Sequence, residues 1–336
     1  MRKTYRISVV GAGSWGTTIA NMLAKNGHVV TLWVRSNELL NRLIHSKENT
    51  IYLKDVKLDE NIYFTGNLSY AFKDKDIIVI AVPVSFLRNT LKGINFPVES
   101  IILSLCKGIE VESLFTPTEI IKNVIKINEQ KLAVLSGPNF ASEVAKSLPT
   151  ATVIASENKK IATLLQKIFA SETFRVYTSC DIKGVEICGA MKNVMAIASG
   201  ISDGLNLGHN ARASLITRGI AEMIRFGKQL GARMETFMGL AGIGDLILTC
   251  TGNLSRNRPV GMRLARGENI NEILKTMKMV PEGVSTTKAI NEFARKSGLD
   301  LPITAEVYKI IYEHKKPIEA LKNLMNRPLK EENYLL

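Results

Sequence analysis

The sequence predicts an α/β protein in two parts: a doubly wound parallel sheet over residues 1–180, then an all-α domain over residues 181–336. Three observations lead there. Near the N-terminus a β-prone run ends in a glycine cluster that opens a helix. Apolar strand-like runs then alternate with helical patterns as far as residue 179. Beyond residue 181 the strand signals stop and helical periodicity continues alone.

Residues 7–16 read I-S-V-V-G-A-G-S-W-G. Strand, glycine turn and helix in that order form the dinucleotide fingerprint of a Rossmann βαβ unit. Gly11 allows the tight turn, Gly13 removes a side chain where a pyrophosphate must approach, and Gly16 lets the helix lie close on the strand. The anion sits on unpaired N–H groups at the helix N-terminus, where the dipole favours negative charge. The helix is expected over residues 17–25, ending at Asn26-Gly27, with a second strand over 28–34.

Further strands are expected over residues 77–82, 101–106, 132–136, 151–155 and 174–178. Their alternation with helices implies parallel pairing through right-handed crossovers. Ligands of such sheets lie outside the carboxyl ends of the strands, which draws attention to Pro83, Lys107, Gly137 and Asn139. Helices follow over 184–200, 211–230, 282–297 and 304–314. The polar tail Lys330-Glu331-Glu332-Asn333 is expected to fray.

Composition narrows the function classes. The 46% apolar and 22% charged residues are those of an ordinary soluble globule. The longest apolar runs fall short of the ~18 residues of a membrane span, so no stable membrane insertion is expected. The basic start is followed by a segment of only four residues, Ile7–Val10, before Gly11, so no secretory signal is expected. The four cysteines lie far apart without a C-x-x-C pair, as suits a reducing cytoplasm. The four histidines are equally scattered, and no metal site is readable. The net charge of +13 comes from dispersed Lys and Arg not interleaved with aromatics. That favours solvation and attraction of phosphorylated ligands over nucleic acid.

Three places carry chemistry. The second strand ends at Val34-Arg35-Ser36, where an NAD-selective fingerprint has a carboxylate for the ribose hydroxyls. Arg35 instead suits a 2′-phosphate or can stack on adenine, so NADP(H), or both NADP(H) and NAD(H), are the expected cofactors. Residues 187–198 form a helix apolar on every side, hence buried, with Lys192 its one basic residue. No carboxylate stands three or four residues away, so Lys192 is expected unpaired, with a pKa lowered toward neutrality as a proton shuttle needs. Asn193 beside it points to a polar cleft. Finally, Gly242-Ile243-Gly244-Asp245 puts one carboxylate in an apolar turn, and Ser255-Arg256-Asn257-Arg258 supplies the donors a phosphate monoester wants.

The chain resembles the bacterial NAD(P)-dependent glycerol-3-phosphate dehydrogenases along nearly its whole length. The matching stretches are G-A-G-S-W-G (11–16), K-G-I-E (107–110), S-G-P-N-F-A (136–141), L-P-T-A (148–151) and G-V-E-I-C-G-A-M-K-N-V (184–194). They continue with L-I-T-R-G (215–219), G-I-G-D-L (242–246), S-R-N-R (255–258) and P-E-G (281–283). The resemblance implies cofactor contacts at Ser14, Trp15, Arg35, Ala141, Val280 and Glu282, with Lys107 reaching both cofactor and substrate. It implies that Gly137, Asp245, Ser255, Arg256 and Asn257 hold glycerol phosphate, Arg256 also lying near the cofactor, and that Lys192 is the general acid/base. Two positions depart from the family pattern. Cys106 replaces a usual Thr or Ser and is read as packing. Asn139 replaces a Ser or Thr and is kept as a substrate contact.

The implied reaction is reversible hydride transfer between NAD(P)H and dihydroxyacetone phosphate to give sn-glycerol 3-phosphate, feeding glycerophospholipid synthesis. Asp245 would orient Lys192 or the substrate hydroxyls. The assembly is left open, a homodimer included. Two rival readings remain: a 3-hydroxyacid dehydrogenase of the same architecture, which would not need the 255–257 cluster, and an NADP(H)-sensing protein without turnover.

Overall fold

The computed structural model describes residues 3–94, 98–277 and 279–332. The chain divides into two compact units, one of Met1–Cys106 with Pro117–Ile182, the other of Lys107–Thr116 with Lys183–Leu336. The short segment Lys107–Thr116 leaves the first unit at a strand end and belongs to the second.

The first unit carries the strands β1 (Arg6–Val10), β2 (Val29–Trp33), β3 (Glu48–Asn49), β4 (Leu53–Lys57), β5 (Ile62–Thr65), β6 (Ile77–Ile80), β7 (Ile101–Ser104), β8 (Leu132–Ser136), β9 (Thr150–Ala155) and β10 (Phe174–Ser179). Its helices are α1 (Ser14–Lys25), α2 (Asn37–Ser46), α3 (Leu68–Phe72), α4 (Val84–Leu91), α5 (Pro117–Val124), α6 (Ala141–Ala145) and α7 (Lys159–Phe169). Eight strands form one sheet in the order β10-β9-β8-β7-β6-β1-β2-β5, and β3 pairs with β4 alone. The chain winds outward from β1 through β2 to β5, then returns to β6 on the other side of β1. The switch point therefore lies between β1 and β6, at whose carboxyl ends ligands of such sheets bind. Central strands such as β6 (Ile-Ile-Val-Ile) are buried on both faces, as helix-covered strands must be.

Parallel pairing holds from β5 through to β8, and between β9 and β10. The expectation of an all-parallel sheet is corrected at one seam, since β8 and β9 run antiparallel with Leu135 opposite Ile154. The cause is the connection. Helix α6 has five residues, so it rises only ~7.5 Å, whereas β8 spans ~16 Å. Parallel neighbours are usually joined by a crossover helix long enough to return the chain along the strand, and α6 is too short to be one. Strands β3, β4 and β5 were not foreseen either; β3 and β4 are short and charged, without an apolar alternation.

The second unit is helical: α8 (Ile182–Gly204), α9 (Gly208–Gln229), α10 (Met234–Phe237), α11 (Asp245–Thr251), α12 (Asn257–Ala265), α13 (Ile270–Thr276), α14 (Glu282–Ser297), α15 (Pro302–Tyr312) and α16 (Pro317–Met325). Helix α8 is buried at every position from Gly184 to Ser202, which makes it the core helix its sequence announces. Glycines let α12 lie against it backbone to backbone. A Cβ on Gly261 would come 2.0 Å from the Ile197 carbonyl oxygen, and one on Gly200 would come 2.0 Å from that of Arg258. Of the polar tail, Lys330 to Glu332 are exposed, and Asn333 lies outside the described residues. Among the described residues no helix is long and apolar enough to cross a membrane.

The crossing yields a stability prediction. Gly261→Ala gains about 1 kcal/mol of helix propensity but forces two backbones apart, and overpacking of this kind costs about 1–3 kcal/mol. The variant should unfold at lower urea concentration than the parent, followed by circular dichroism at 222 nm. An unchanged or higher midpoint would mean that α8 and α12 are not in contact there.

Candidate active site

In the second unit, α8 sends Lys192 into the interior, where the side chain is 9% exposed. It is not alone there. Lys192 Nζ lies 2.6 Å from Asp245 Oδ1 and 2.9 Å from Thr249 Oγ1. The expectation of an unpaired lysine is thus corrected: its counter-ion comes from 53 residues away in sequence, beyond any helical-spacing argument. The other carboxylate oxygen of Asp245 accepts from Lys107 Nζ at 2.7 Å. One nearly sealed carboxylate, its side chain 1% exposed, therefore bridges two ammonium groups.

Local structure explains how Asp245 reaches the interior. A π-type turn over Leu240–Gly244 precedes α11, and such turns often mark functional sites. A Cβ on Gly242 would sit 2.1 Å from the Phe237 carbonyl oxygen, so only glycine permits this approach. Thr249, one turn further along α11, donates its hydroxyl hydrogen to the Asp245 carbonyl at 2.6 Å, which leaves its lone pairs for Lys192. Thr249 was missed at the sequence level, although the spacing Asp-x-x-x-Thr places both on one helix face.

The charges perturb one another in a definable way. Burial, more than any other cause, pushes Lys192 down to about 7; the Lys107 ammonium adds to this and the Asp245 carboxylate opposes it. Burial also works to raise Asp245, but the two lysines win and hold its carboxyl below the usual range. The result is a buried acid that stays ionised beside a lysine able to give up its proton near neutral pH.

Next to Lys192, the Asn193 side chain faces α12. Asn257 Nδ2 donates to Asn193 Oδ1 at 2.9 Å, while Asn257 Oδ1 accepts from the Gly283 N–H at 2.9 Å. The amide of Asn257 thus ties α8 to the start of α14. Ser255 is buried and accepts from the Arg258 N–H at 3.3 Å. Arg256 stands at the N-cap of α12. Burial lowers its pKa, and the neighbouring Glu282 carboxylate opposes the shift. Glu282 opens α14, and Val280, half-buried, precedes it. Lys107, Lys192, Asp245, Ser255, Arg256, Asn257, Val280 and Glu282 therefore all belong to the second unit.

The first unit holds the remaining site residues, and its glycine turn fits a dinucleotide. A Cβ on Gly16 would fall 1.9 Å from the Gly11 carbonyl oxygen and one on Gly11 would fall 2.6 Å from that of Ala81, whereas one on Gly13 would meet nothing within 4 Å. Two positions are closed by backbone and the middle one is open, as a pyrophosphate approach requires. No side chain caps the N-terminus of α1, and the buried Trp15 Nε1 has no hydrogen-bond partner among the described residues. Ser14 is buried in the first turn of the same helix. Asn49, fully buried on β3, braces the turn by donating to the Ala12 carbonyl at 2.9 Å and to Thr17 Oγ1 at 2.8 Å.

At the end of β2 the exposed Arg35 guanidinium lies 5.3 Å from the Phe86 ring centroid, a platform the sequence did not reveal. Ser36 caps α2 by accepting from the Leu39 N–H. Gly137 follows β8 and is buried, and Asn139 Nδ2 donates to Thr152 Oγ1 at 3.1 Å. The carbonyl of Ala141, at the start of α6, accepts from Thr18 Oγ1 at 3.2 Å. Cys106 is buried with its thiol 3.6 Å from the Ile80 carbonyl oxygen, which fits a packing role.

The chain is similar to known proteins along nearly its whole length. Residues 6–162 match the family model described as NAD-dependent glycerol-3-phosphate dehydrogenase N-terminus, and residues 181–322 match the corresponding C-terminus. A glycerol-3-phosphate dehydrogenase, NAD(P)+, of Syntrophotalea carbinolica is 49% identical over 329 residues, covering 97% of this chain and 99% of the relative. One from Citrifermentans bemidjiense is 47% identical over 330 residues, covering 97% and 98%. The crystal structure of glycerol-3-phosphate dehydrogenase from Coxiella burnetii superimposes with a TM-score of 0.92 at 36% identity, covering 96% of this chain and 99% of that one. A dinucleotide turn in one unit, a buried lysine–aspartate–lysine cluster in the other and these matches lead to one conclusion: the chain belongs to the NAD-dependent glycerol-3-phosphate dehydrogenase family.

Proposed function

We propose that this protein catalyses the reversible reduction of dihydroxyacetone phosphate to sn-glycerol 3-phosphate with NADPH or NADH, the product serving glycerophospholipid synthesis. The buried Lys192–Asp245–Lys107 cluster is the observation that carries this reading. A regulatory cofactor sensor gains nothing from holding this charged cluster in the interior, and a hydroxyacid dehydrogenase would not need the whole Ser255–Arg256–Asn257 donor set. In the first unit, Gly11, Gly13, Ser14, Trp15, Gly16, Arg35 and Ala141 would hold the cofactor; in the second, Lys107, Arg256, Val280 and Glu282 would do so. When bound, the reduced nicotinamide supplies the hydride.

The protein's own residues supply a proton, a charge and a grip. Lys192 gives its proton to the substrate's C2 oxygen as negative charge grows there. Lys107 stabilises that charge, and Asp245 keeps both ammonium groups aimed without becoming protonated. Ser255, Arg256 and Asn257, with Gly137 and Asn139, would hold the substrate. Its phosphate, remote from the reacting carbon, would then orient the ketone. In the reverse direction neutral Lys192 accepts the proton of the C2 hydroxyl. Among the described residues Cys106, Cys180, Cys188 and Cys250 form no disulfide, which suits a cytoplasmic enzyme. Sedimentation velocity would distinguish a monomer from the homodimer this reading also accommodates.

The founding test is loss of 340 nm absorbance from NADPH with dihydroxyacetone phosphate, 3-ketoacids serving as the contrast; activity on the ketoacids alone would overturn the proposal. Replacing Lys192 by Met should then reduce turnover by about 10²–10⁴ while NADPH still binds. Because Lys192 titrates near 7, reduction needs the protonated form and should fall as pH rises through that value. Oxidation needs the neutral form and should rise over the same range. A pH-independent rate in both directions would remove Lys192 from the proton transfer.

Phosphate recognition gives a second expectation. Arg256→Ala should cost much of the rate with dihydroxyacetone phosphate and little of the slow rate with dihydroxyacetone. Equal losses would assign Arg256 to the cofactor alone.

Cofactor choice gives a third. Glu38, the nearest acid after Arg35, pairs with Arg42 at 2.8 Å, which offsets part of its repulsion of a phosphate there. Charge-assisted bonds from Arg35 to a 2′-phosphate, worth about 1.5–3 kcal/mol when shielded, correspond to about ten- to hundredfold preference for NADPH. Exposure of Arg35 puts the expectation at the lower end. The kcat/KM ratio for NADPH over NADH should invert in Arg35→Asp; an unchanged ratio would mean that Arg35 does not read the phosphate and only stacks.

A further inference from the structure

Arg258 closes the S-R-N-R run, which the sequence presents as a set of phosphate donors, but its guanidinium is committed to protein partners. Its guanidinium is spread between two segments. Nε donates to Asp203 Oδ2 at 2.6 Å, and Nη1 donates to Asn253 Oδ1 at 3.1 Å. Asn253 lies in the loop between α11 and α12, which carries Ser255 and Arg256. Asp203 lies in the last turn of α8. That is eleven residues beyond Lys192, or ~16 Å along the helix, too far for Arg258 to touch a reacting carbon through this pair.

A carboxylate in the last turn of a helix faces the negative end of the macrodipole. Two arginines hold Asp203 there against that cost, since Arg212 also donates to its Oδ1 through Nε at 2.9 Å and Nη2 at 2.5 Å. The Asp203 side chain is 8% exposed and that of Arg258 is 16%, so the pair is shielded from water and salt. The Arg258 backbone is pinned as well. Its N–H donates to Ser255 Oγ at 3.3 Å, and its carbonyl rests against Gly200 of α8. One residue therefore fixes both ends of residues 253–258 to the helix that carries Lys192.

We propose that Arg258 is a positioning residue that sets the phosphate grip: by bracing Asn253 against Asp203 it holds Ser255 and Arg256 where a phosphate monoester is bound. The inference rests on the function proposed above and concerns which residue makes that function selective. The geometry requires arginine. Two acceptors on different segments are met by two nitrogens of one rigid plane, whereas a lysine is a single point charge on a flexible stem. Lysine at this position keeps the charge and loses the brace.

Steady-state kinetics of Arg258→Lys and Asn253→Ala test it on the full-length enzyme. In Arg258→Lys the KM for dihydroxyacetone phosphate should rise about tenfold. The kcat/KM for unphosphorylated dihydroxyacetone should stay within twofold of the parent, and the KM for NADPH, which Arg256 also serves, should rise by a smaller factor than that for dihydroxyacetone phosphate. Inorganic phosphate should inhibit the variant correspondingly less. Asn253→Ala removes one arm only and should shift the same quantities in the same direction by a smaller factor, which keeps the test alive if Arg258→Lys folds poorly. A merely structural role would depress all substrates alike or lower the melting temperature with unchanged KM values; either result overturns the inference. If the parent enzyme itself fails to oxidise NADPH with dihydroxyacetone phosphate, the underlying function fails instead, and the two failures are told apart.

Discussion

A carboxylate sealed between two ammonium groups is the constraint on which the helical unit depends. Removing an ion from water costs several kcal/mol even after relaxation, and a lone buried charge is rarely tolerated. One lysine would neutralise Asp245. Two leave a surplus positive charge in a place water barely reaches, which is where an alkoxide can form at low cost. The same arrangement separates the two titrations. Asp245 sees two charges of opposite sign and stays ionised, while Lys192 sees one of each sign and is left mainly with the penalty of burial.

Holding that cluster demands rigidity from elements that do not themselves react. Helix α8 has buried residues on every face, so it cannot rotate without opening a core. Its glycines bring α12 to backbone contact, and the Asn193–Asn257–Gly283 chain carries the same alignment on to α14. Asp245 gains its position from a π-type turn packed on Phe237 through Gly242. Each device is a close approach that a single added methyl group would block. Tight packing transmits displacement instead of absorbing it, so the loop bearing Arg256 and the helix bearing Lys192 behave as one body within this unit.

Local patterns in the sequence were legible, and long-range ones were not. The glycine turn could be read because strand, turn and helix are contiguous and each glycine has its own steric reason. Lys192 stood out because one base in an apolar helix is conspicuous. Its partner did not, since no spacing rule links residue 192 to residue 245. Asn49 escaped notice for the same reason: a buried amide bracing the glycine turn from a two-residue strand has no periodic signature. The reversed seam between β8 and β9 depends on the length of α6, which a run of apolar residues does not disclose. Thr249 was within reach, lying one helical turn from a carboxylate already singled out. Phe86 was not, since a single aromatic residue after a strand is more often packing.

The recurrent motif of the second unit is one acid shared by two bases. Asp245 takes Lys107 and Lys192, Asp203 takes Arg212 and Arg258, and Glu306 takes Lys309 and Lys315. Asp300 takes Arg327 and Lys330. With every base protonated each triad leaves one positive charge over, and part of the formal net +13 is held in this way. The triads are not equivalent. At Asp300 the carboxylate side chain is 45% exposed, so salt screens its surplus over about 8–10 Å. At Asp245 and Asp203 the side chains are 1% and 8% exposed, and the surplus persists in salt. The exposed charge speeds the arrival of an anion, whereas the buried charge decides what stays and what reacts. A dianionic phosphate ester draws more from both than a carboxylate of single charge does. That difference favours a glycerol phosphate over a hydroxyacid.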